Sequence, residues 1–256
     1  MNILRLENVN KVFGGLMAMN DVSFSVAQGS IMGLIGPNGA GKTTVFNCIT
    51  GNYRPEQGDI YFNEERITGV APYRLVAKGI ARTFQSIRLF PHMQAVENVL
   101  AGRHCRLKAG LLTSLLRTPG QRREERQALA RAMQELAFVG LAEHYAEPAA
   151  SLSYGNQRLL EVARALAADP QLLILDEPAG GMNEQETAEL MHLIRRIRQR
   201  HITVLLIEHD MRLVMHLCDR LVVLENGAVI AEDTPKNIQK NQAVIEAYLG
   251  VDDESW

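Results

Sequence analysis

Eight residues, Gly36-Pro37-Asn38-Gly39-Ala40-Gly41-Lys42-Thr43, constrain the fold of this chain more than any others. They follow the apolar run Ile31-Met32-Gly33-Leu34-Ile35 and precede Thr44-Val45-Phe46, so the order is strand, glycine turn, helix. Glycines let the backbone wrap closely around an anion, and the amide N–H groups at the start of a helix favour negative charge there. The pattern GxxxxGK[ST] in this context reads as a cradle for nucleotide phosphates. Lys42 supplies a point charge for the β and γ groups, and Thr43 offers its hydroxyl to Mg²⁺. The loop names a nucleotide and says nothing of its purpose.

A second stretch, Leu172-Leu173-Ile174-Leu175-Asp176-Glu177, is a buried strand that delivers two carboxylates to its C-terminal edge, where open parallel sheets bind ligands. Asp176 can hold Mg²⁺ through its water shell, and Glu177 can orient or deprotonate an attacking water. An acidic pair that merely caps a turn is the ordinary alternative. A helix is expected over Glu184 to Gln199, then a second buried strand, Val204 to Ile207, ending near Glu208-His209. Strand, helix and strand at that spacing predict a parallel sheet.

Composition fits a soluble, cytosolic globular chain. With 256 residues, 46% of them hydrophobic, it can bury a core without disulfides or metal. A formal net charge of −2 gives no global field for nucleic acid. Cys48, Cys105 and Cys218 are scattered through apolar segments and read as reduced core thiols. Residues 1–10 lack the apolar centre of a signal peptide. The longest apolar runs fall far below the roughly 20 residues of a spanning helix, so any membrane part is expected from other chains.

Short strands are expected at Ile3–Leu6, Val22–Val26, Ile31–Ile35 and Asp59–Phe62, with a turn-rich stretch to Ala71. From about Ala95 to Asp169 the pattern turns helical, with breaks at Gly110, Thr118-Pro119-Gly120 and Pro148. Beyond Thr234-Pro235 two short helices are expected, ending in the acidic Asp252-Asp253-Glu254.

Single residues complete the pattern. Gln85 has the chemistry to contact Mg²⁺ and the lytic water, and His209 to bond a γ-phosphate. Phe13 could stack on an adenine ring. Alone, each has an ordinary solvated or core interpretation. Leu152-Ser153-Tyr154-Gly155-Asn156-Gln157 opens a helix and looks like a second anion site that cannot reach its own chain's nucleotide, which implies a second subunit.

In this order, Phe13, the glycine loop, Gln85, LSYGNQ, the Asp-Glu pair and His209 resemble the A-loop, Walker A, Q-loop, signature, Walker B and H-loop of ABC-type ATPases. The resemblance implies an α/β P-loop NTPase fold: a RecA-like mixed sheet core, an antiparallel β subdomain and an α-helical subdomain. It assigns one ATPase domain to residues 1–234, with core 1–94 and 169–234 and helical subdomain 95–168, and a helical tail to 235–256. ATP and Mg²⁺ are the implied ligands. Gly36 to Thr44 and Phe13 would bind nucleotide, with Thr43, Gln85 and Asp176 at the metal. Glu177, His209, Lys42 and Gln85 would act in hydrolysis. Ser153, Tyr154, Gly155, Asn156 and Gln157 would face the ATP held by a partner cassette. Tyr154 replaces the usual glycine, Asn156 the usual glutamine, and Asn183 the usual aspartate of the D-loop at Ala179–Asn183.

The segments FGGLMAMNDVSF, RTFQSIRLFPHMQAVENVL, LLRTP, LSYGNQRLLEVARAL, LIEHDMRLVM and AYLG narrow the resemblance to the ATP-binding subunits of branched-chain amino acid importers. Such a subunit would work on the cytoplasmic face of the plasma membrane, held there by two permease subunits. It would pair with a second cassette, related or identical, and an extracytoplasmic binding protein would capture the amino acid. ATP binding would close the cassette dimer and hydrolysis reopen it. Phe90, Pro91, Met93 and Val96 are candidate contacts for permease coupling helices. Arg117, Arg122, Arg123 and Arg126, interrupted by Glu124-Glu125, form either a solvated face or a surface for anionic lipid or a permease loop. A urea or amide importer cassette and a lipopolysaccharide exporter cassette are alternatives. A non-transport ABC ATPase of DNA repair or translation is disfavoured by the lack of heptads or a second glycine loop.

Overall fold

Two sheets organise the chain, whose computed structural model describes residues 1–106 and 119–249. In chain order, β1 (Asn2–Phe13) and β2 (Leu16–Ala27) form a hairpin, and β3 (Ile31–Ile35) leads through the glycine loop into α1 (Lys42–Ile49). Then come β4 (Gln57–Phe62), β5 (Glu65–Arg66), α2 (Pro72–Lys78) and β6 (Ile80–Arg82). Helices α3 (Ala95–Gly102), α4 (Pro119–Phe138) and α5 (Tyr154–Leu166) follow. The chain returns to the sheet with β7 (Leu172–Asp176), α6 (Glu184–Gln199), β8 (Thr203–Ile207) and α7 (Met211–Leu217). The hairpin of β9 (Arg220–Glu225) and β10 (Ala228–Asp233) precedes α8 (Pro235–Ile238) and α9 (Gln242–Leu249).

The smaller sheet is antiparallel, in the order β2-β1-β4-β5. The larger runs β10-β9-β3-β8-β7-β6, parallel from β9 to β6 and antiparallel at β10. Strand side chains alternate between faces. Met32, Leu34, Ile174, Leu205, Ile207 and Val222 pack with Val45, Phe46 and Ile49 of α1 and with the smaller sheet. Ile31, Leu173, Leu175, Val204, Leu206 and Val223 face the opposite core, with Leu160, Ile194 and Val214 of α5, α6 and α7. Both faces are covered, which explains why β3, β7 and β8 are wholly buried runs rather than alternating ones. Each fully buried Leu or Ile contributes roughly 1.5–3 kcal/mol of transfer free energy.

The mixed core sheet, antiparallel sheet and helices match the expected fold class. The expected helix over Glu184–Gln199 and the strands ending at Asp176 and Ile207 form at those residues. Elsewhere the structure departs from expectation. β1 and β2 are 12 residues each, their alternation obscured by register shifts between Leu6 and Val9 and between Lys11 and Val12. β6, α2 and the β9–β10 hairpin had no predicted counterpart, although Asn226-Gly227 between β9 and β10 is a common hairpin turn. Pro119-Gly120, expected as a break, lies inside α4, whose first residue is Pro119, a position that proline tolerates. Cys48 and Cys218 are buried as expected, and burial pushes both thiols up, Cys48 to about 11; Cys105 is only half-buried. Gly110, Arg117, Thr118, most of LLRTP and Asp252–Glu254 lie outside the described residues.

Candidate functional site

The parallel strands β3, β7 and β8 end side by side, with Asp176 paired to Ile207 and Leu34 to the same residue from the other side. The glycine loop leaves β3 at that edge. Its shape depends on two glycines. Gly36, at φ 148°, lies so close to β9 that a Cβ would stand 2.1 Å from the Leu224 carbonyl oxygen. At Gly41, φ 98°, a Cβ would meet the Ala18 carbonyl oxygen at 2.5 Å. Any side chain at either position would push the loop out of place.

Lys42 begins α1 and is buried, its Nζ donating to the carbonyls of Gly36 at 2.6 Å and Pro37 at 2.9 Å. Burial lowers its pKa below the ordinary value, and the nearby Glu177 carboxylate opposes that. A cavity of ≈ 580 Å³ opens over the loop. Phe13, Leu16 and Met17 from the hairpin tip line one side, Asn38 to Thr44 the floor, and Gln85, Glu177 and His209 the other side. Phe13 is exposed, edge-on to the Tyr53 ring at 5.1 Å, with Lys11 Nζ 4.9 Å from its centroid.

Three of the expected catalytic side chains meet. Gln85 Nε2 donates to Glu177 Oε2 at 2.9 Å, and His209 Nε2 lies 2.8 Å from Glu177 Oε1. Glu177 takes a left-handed φ of 46°, uncommon for a residue with a side chain, while its N–H donates to the Ile207 carbonyl at 3.0 Å. Its neighbour Asp176 is buried and bonded to Arg82. Thr43 lies between this cavity and a second one of ≈ 410 Å³ that Gln85 and Asp176 also line.

Ser153 to Gln157 line neither of these cavities. Ser153 caps α5, its Oγ accepting from the Asn156 N–H at 3.2 Å. Tyr154 is exposed and Gly155 buried, while the Gln157 amide donates to the Leu152 carbonyl at 2.9 Å. Asn183 caps α6 in a capping box. Asn183 Oδ1 accepts from the Glu186 N–H and Glu186 Oε2 accepts from the Asn183 N–H, both at 2.9 Å.

Four residues with no motif signal prove central to the geometry. Arg82 neutralises Asp176 at 2.6 Å. Arg158 bonds the backbone beneath Gln85. Glu208, raised in pKa by burial, accepts from the Ala179 N–H at 2.8 Å and from the His209 N–H at 3.2 Å, joining the loops after β7 and β8. Tyr248 of α9 packs on the core and is hydrogen-bonded to the Gly36 backbone; burial pushes its phenol up to about 12. Among the expected groove residues, Phe90 and Pro91 are exposed and Met93 is half-buried. Val96 is a correction: it is only 7% exposed and packs inside, because α3 turns that face toward α5.

A family model described as ABC transporter matches residues 19–180, and one described as branched-chain amino acid ATP-binding cassette transporter matches residues 228–254. The high-affinity branched-chain amino acid transport ATP-binding protein LivG of Salmonella typhimurium is 47% identical over 249 residues, covering 97% of this chain and 98% of its own. BraF of Pseudomonas aeruginosa, of the same description, has the same identity and coverage. Among solved structures, a nucleotide-free ATP-binding cassette from an ABC transporter superposes with a TM-score of 0.85 at 35% identity, covering 97% of this chain and 99% of that one.

Proposed function

The chain belongs to the ATP-binding cassettes of ABC transporters, ATP-hydrolysing subunits of transport systems, and from that premise we propose that it powers the import of branched-chain amino acids. Near full-length similarity to LivG and BraF supports this substrate class, as does the separate match over residues 228–254. The cassette itself would not touch the amino acid.

The convergence of Gln85 and His209 on Glu177 above the Gly36–Thr44 loop is the observation that carries the assignment of roles. The loop amides and Lys42 would hold the β- and γ-phosphates, with Phe13 against the base. Lys42 Nζ gives two of its three N–H donors to loop carbonyls, which leaves one for a phosphate oxygen. Glu177 would take the proton of the attacking water, and His209 and Gln85 would orient that water and the γ-phosphate. Thr43, Asp176 and Gln85 are hard oxygen donors suited to Mg²⁺, which keeps several waters and shares substrate phosphates. When bound, Mg²⁺ would neutralise charge on the β- and γ-oxygens.

Ser153 to Gln157, away from the chain's own cavity, would complete a second cassette's site, related or identical. That would place two ATPs between two cassettes. No helix among the described residues is long and apolar enough to cross a membrane. Two permease subunits would hold the chain at the cytoplasmic face of the plasma membrane. Phe90, Tyr73 and Val76 line an open groove of ≈ 380 Å³ that would receive a permease coupling helix. An extracytoplasmic binding protein would deliver the amino acid.

The test is uptake of labelled leucine, isoleucine and valine by cells lacking this gene. Wild-type gene should restore uptake. Glu177→Gln should not, and its purified protein should bind ATP, fail to turn it over and accumulate as closed ATP-bound dimers with the partner cassette. Normal uptake in the deletion strain would remove the substrate assignment, and normal hydrolysis by the variant would remove Glu177 from its role.

A further inference from the structure

Residues 83–90, between β6 and α3, form no helix or strand, so their backbone polar groups need partners elsewhere. Asn98 of α3 holds Phe90 and the Ile174 carbonyl holds the Thr83 N–H, and three side chains of α5 hold the stretch between. Arg158 donates through Nη1 to the Phe84 carbonyl at 2.8 Å and through Nη2 to the Gln85 carbonyl at 2.6 Å. The Arg88 N–H donates to Glu161 Oε1 at 3.1 Å, and Arg164 donates to the Arg88 carbonyl. Spacing of three residues sets Arg158, Glu161 and Arg164 along one helix face. They grip the stretch from Phe84 to Arg88 that carries Gln85.

The grip reaches two further places. Arg158 Nη2 also donates to the Tyr154 hydroxyl at 2.9 Å, and the guanidinium lies 5.4 Å from that ring's centroid. The Tyr154 ring stands against Gly181, where an added Cβ would be 2.9 Å from Cε1. Gln85, held by its backbone, points its amide at Glu177. Arg158 Nε is buried with no hydrogen-bond partner, and Glu161 Oε2 meets the Arg158 guanidinium at 3.8 Å, so this buried ion pair carries a desolvation cost that apolar packing at this face would avoid. Stability alone does not account for the arrangement.

We infer that Arg158 is a positioning residue for hydrolysis: it fixes the Gln85 backbone to the helix opened by Ser153–Gln157, so that the Gln85 amide takes its place at Glu177 from the position of that helix. The inference rests on the roles proposed above for Gln85 and Glu177. Its geometry needs an arginine. A planar guanidinium spans two successive carbonyls and the phenol at once, which the single ammonium of lysine does not do.

The experiment compares full-length wild type, R158A and R158K. Steady-state ATP turnover gives kcat and KM, and fluorescence titration gives equilibrium binding of a non-hydrolysable fluorescent ATP analogue. R158A should lose roughly 10- to 100-fold in kcat, the scale of a small misplacement at a reacting centre. Analogue binding should stay within about 2-fold, because Gly36–Thr44 is untouched. Millimolar guanidinium should recover part of the R158A turnover, and R158K should lie between wild type and R158A. A purely structural role would lower binding and turnover together and ignore guanidinium. That pattern, or wild-type kcat in R158A, overturns the inference; if R158A does not fold, wild-type kcat in folded R158K does so. A wild-type protein with no ATP turnover would instead overturn the functional assignment beneath it.

Discussion

The Arg82 guanidinium stands 2.6 Å from Asp176 Oδ2, with both side chains almost fully buried at 8% and 4% exposure. Arg82 also donates to Asn47 Oδ1 at 2.7 Å and Thr50 Oγ1 at 3.2 Å, and the rings of Phe46 and Phe84 lie 5.8 and 5.2 Å from it. A buried carboxylate without a counter-charge is costly, so the pair behaves as a unit. Arg82→Ala should lose about 3 kcal/mol of stability, the scale of breaking one side of a buried ion pair. Adding Asp176→Asn should return part of it. Urea unfolding of the two single variants and the double variant measures the coupling. Strictly additive losses would show that Arg82 packs there without serving Asp176.

Lys42 is expected to make stability depend on alkaline pH. Its folded pKa is lowered from 10.5, chiefly by burial. Between that lowered value and 10.5 the unfolded chain binds more protons, so the Lys42 contribution to stability rises with pH across this window and falls as pH drops through the folded pKa. Lys42→Met has no such group. Wild type should therefore gain on the variant as pH rises toward 10.5. Chemical denaturation of both at several pH values reads the difference, and a constant difference would contradict it. The same variant should weaken ATP binding by about 2–3 kcal/mol, or roughly 30- to 150-fold in Kd.

How far sequence alone reached depends on where each partner lies. The glycine loop and Asp176-Glu177 were legible because their chemistry is contiguous and backbone geometry forces their residue types. Gln85 and His209 were legible only from their order along the chain; the structure brings both onto Glu177, 92 and 32 residues away. Arg82 and Arg158 left no signal, since an arginine gives no sign of a partner 94 or 74 residues distant. The three residues of β6 were too few for periodicity, and pairing with β7 alone defines the strand. Val96 and Cys105 failed in opposite directions. Val96 sits in apolar sequence and turns inward, while Cys105, flanked by Arg103, His104 and Arg106, lines an open groove.

Tyr248 ties α9 to the phosphate loop. The hydroxyl is bonded to the Gly36 backbone, and Ile238, Val244 and Ala247 of the C-terminal helices are buried. Tyr248→Phe keeps the ring and deletes one hydrogen bond, so stability should fall by about 1 kcal/mol. Because Gly36 opens the loop, KM for ATP should rise a few-fold with kcat nearly retained. Thermal unfolding and steady-state kinetics decide this; unchanged KM with lowered stability would confine α9 to packing.

Gly155 separates the packing of α5 from its proposed contact with a partner's nucleotide. A Cβ there would lie 2.6 Å from Glu186 Oε1. The clashing atom is the end of a flexible side chain, so Gly155→Ala can be accommodated if Glu186 moves. Glu186 is, however, the acceptor for the Asn183 N–H in the capping box of α6. The substitution should therefore cost about 1 kcal/mol through the cap, well within the margin of a folded domain. Binding of ATP to the isolated monomer should be unchanged, because Ser153 to Gln157 stay out of its cavity. Dimerisation with the partner cassette in ATP should weaken far more than stability, since the displaced Glu186 and the added methyl group both disturb the helix end whose Ser153 and Gly155 donors are proposed to meet the partner's phosphate. Analytical ultracentrifugation of the Glu177→Gln background, with and without Gly155→Ala, isolates this effect from turnover. If the added methyl leaves ATP-dependent dimerisation intact, the assignment of this helix end to the partner's phosphate is wrong.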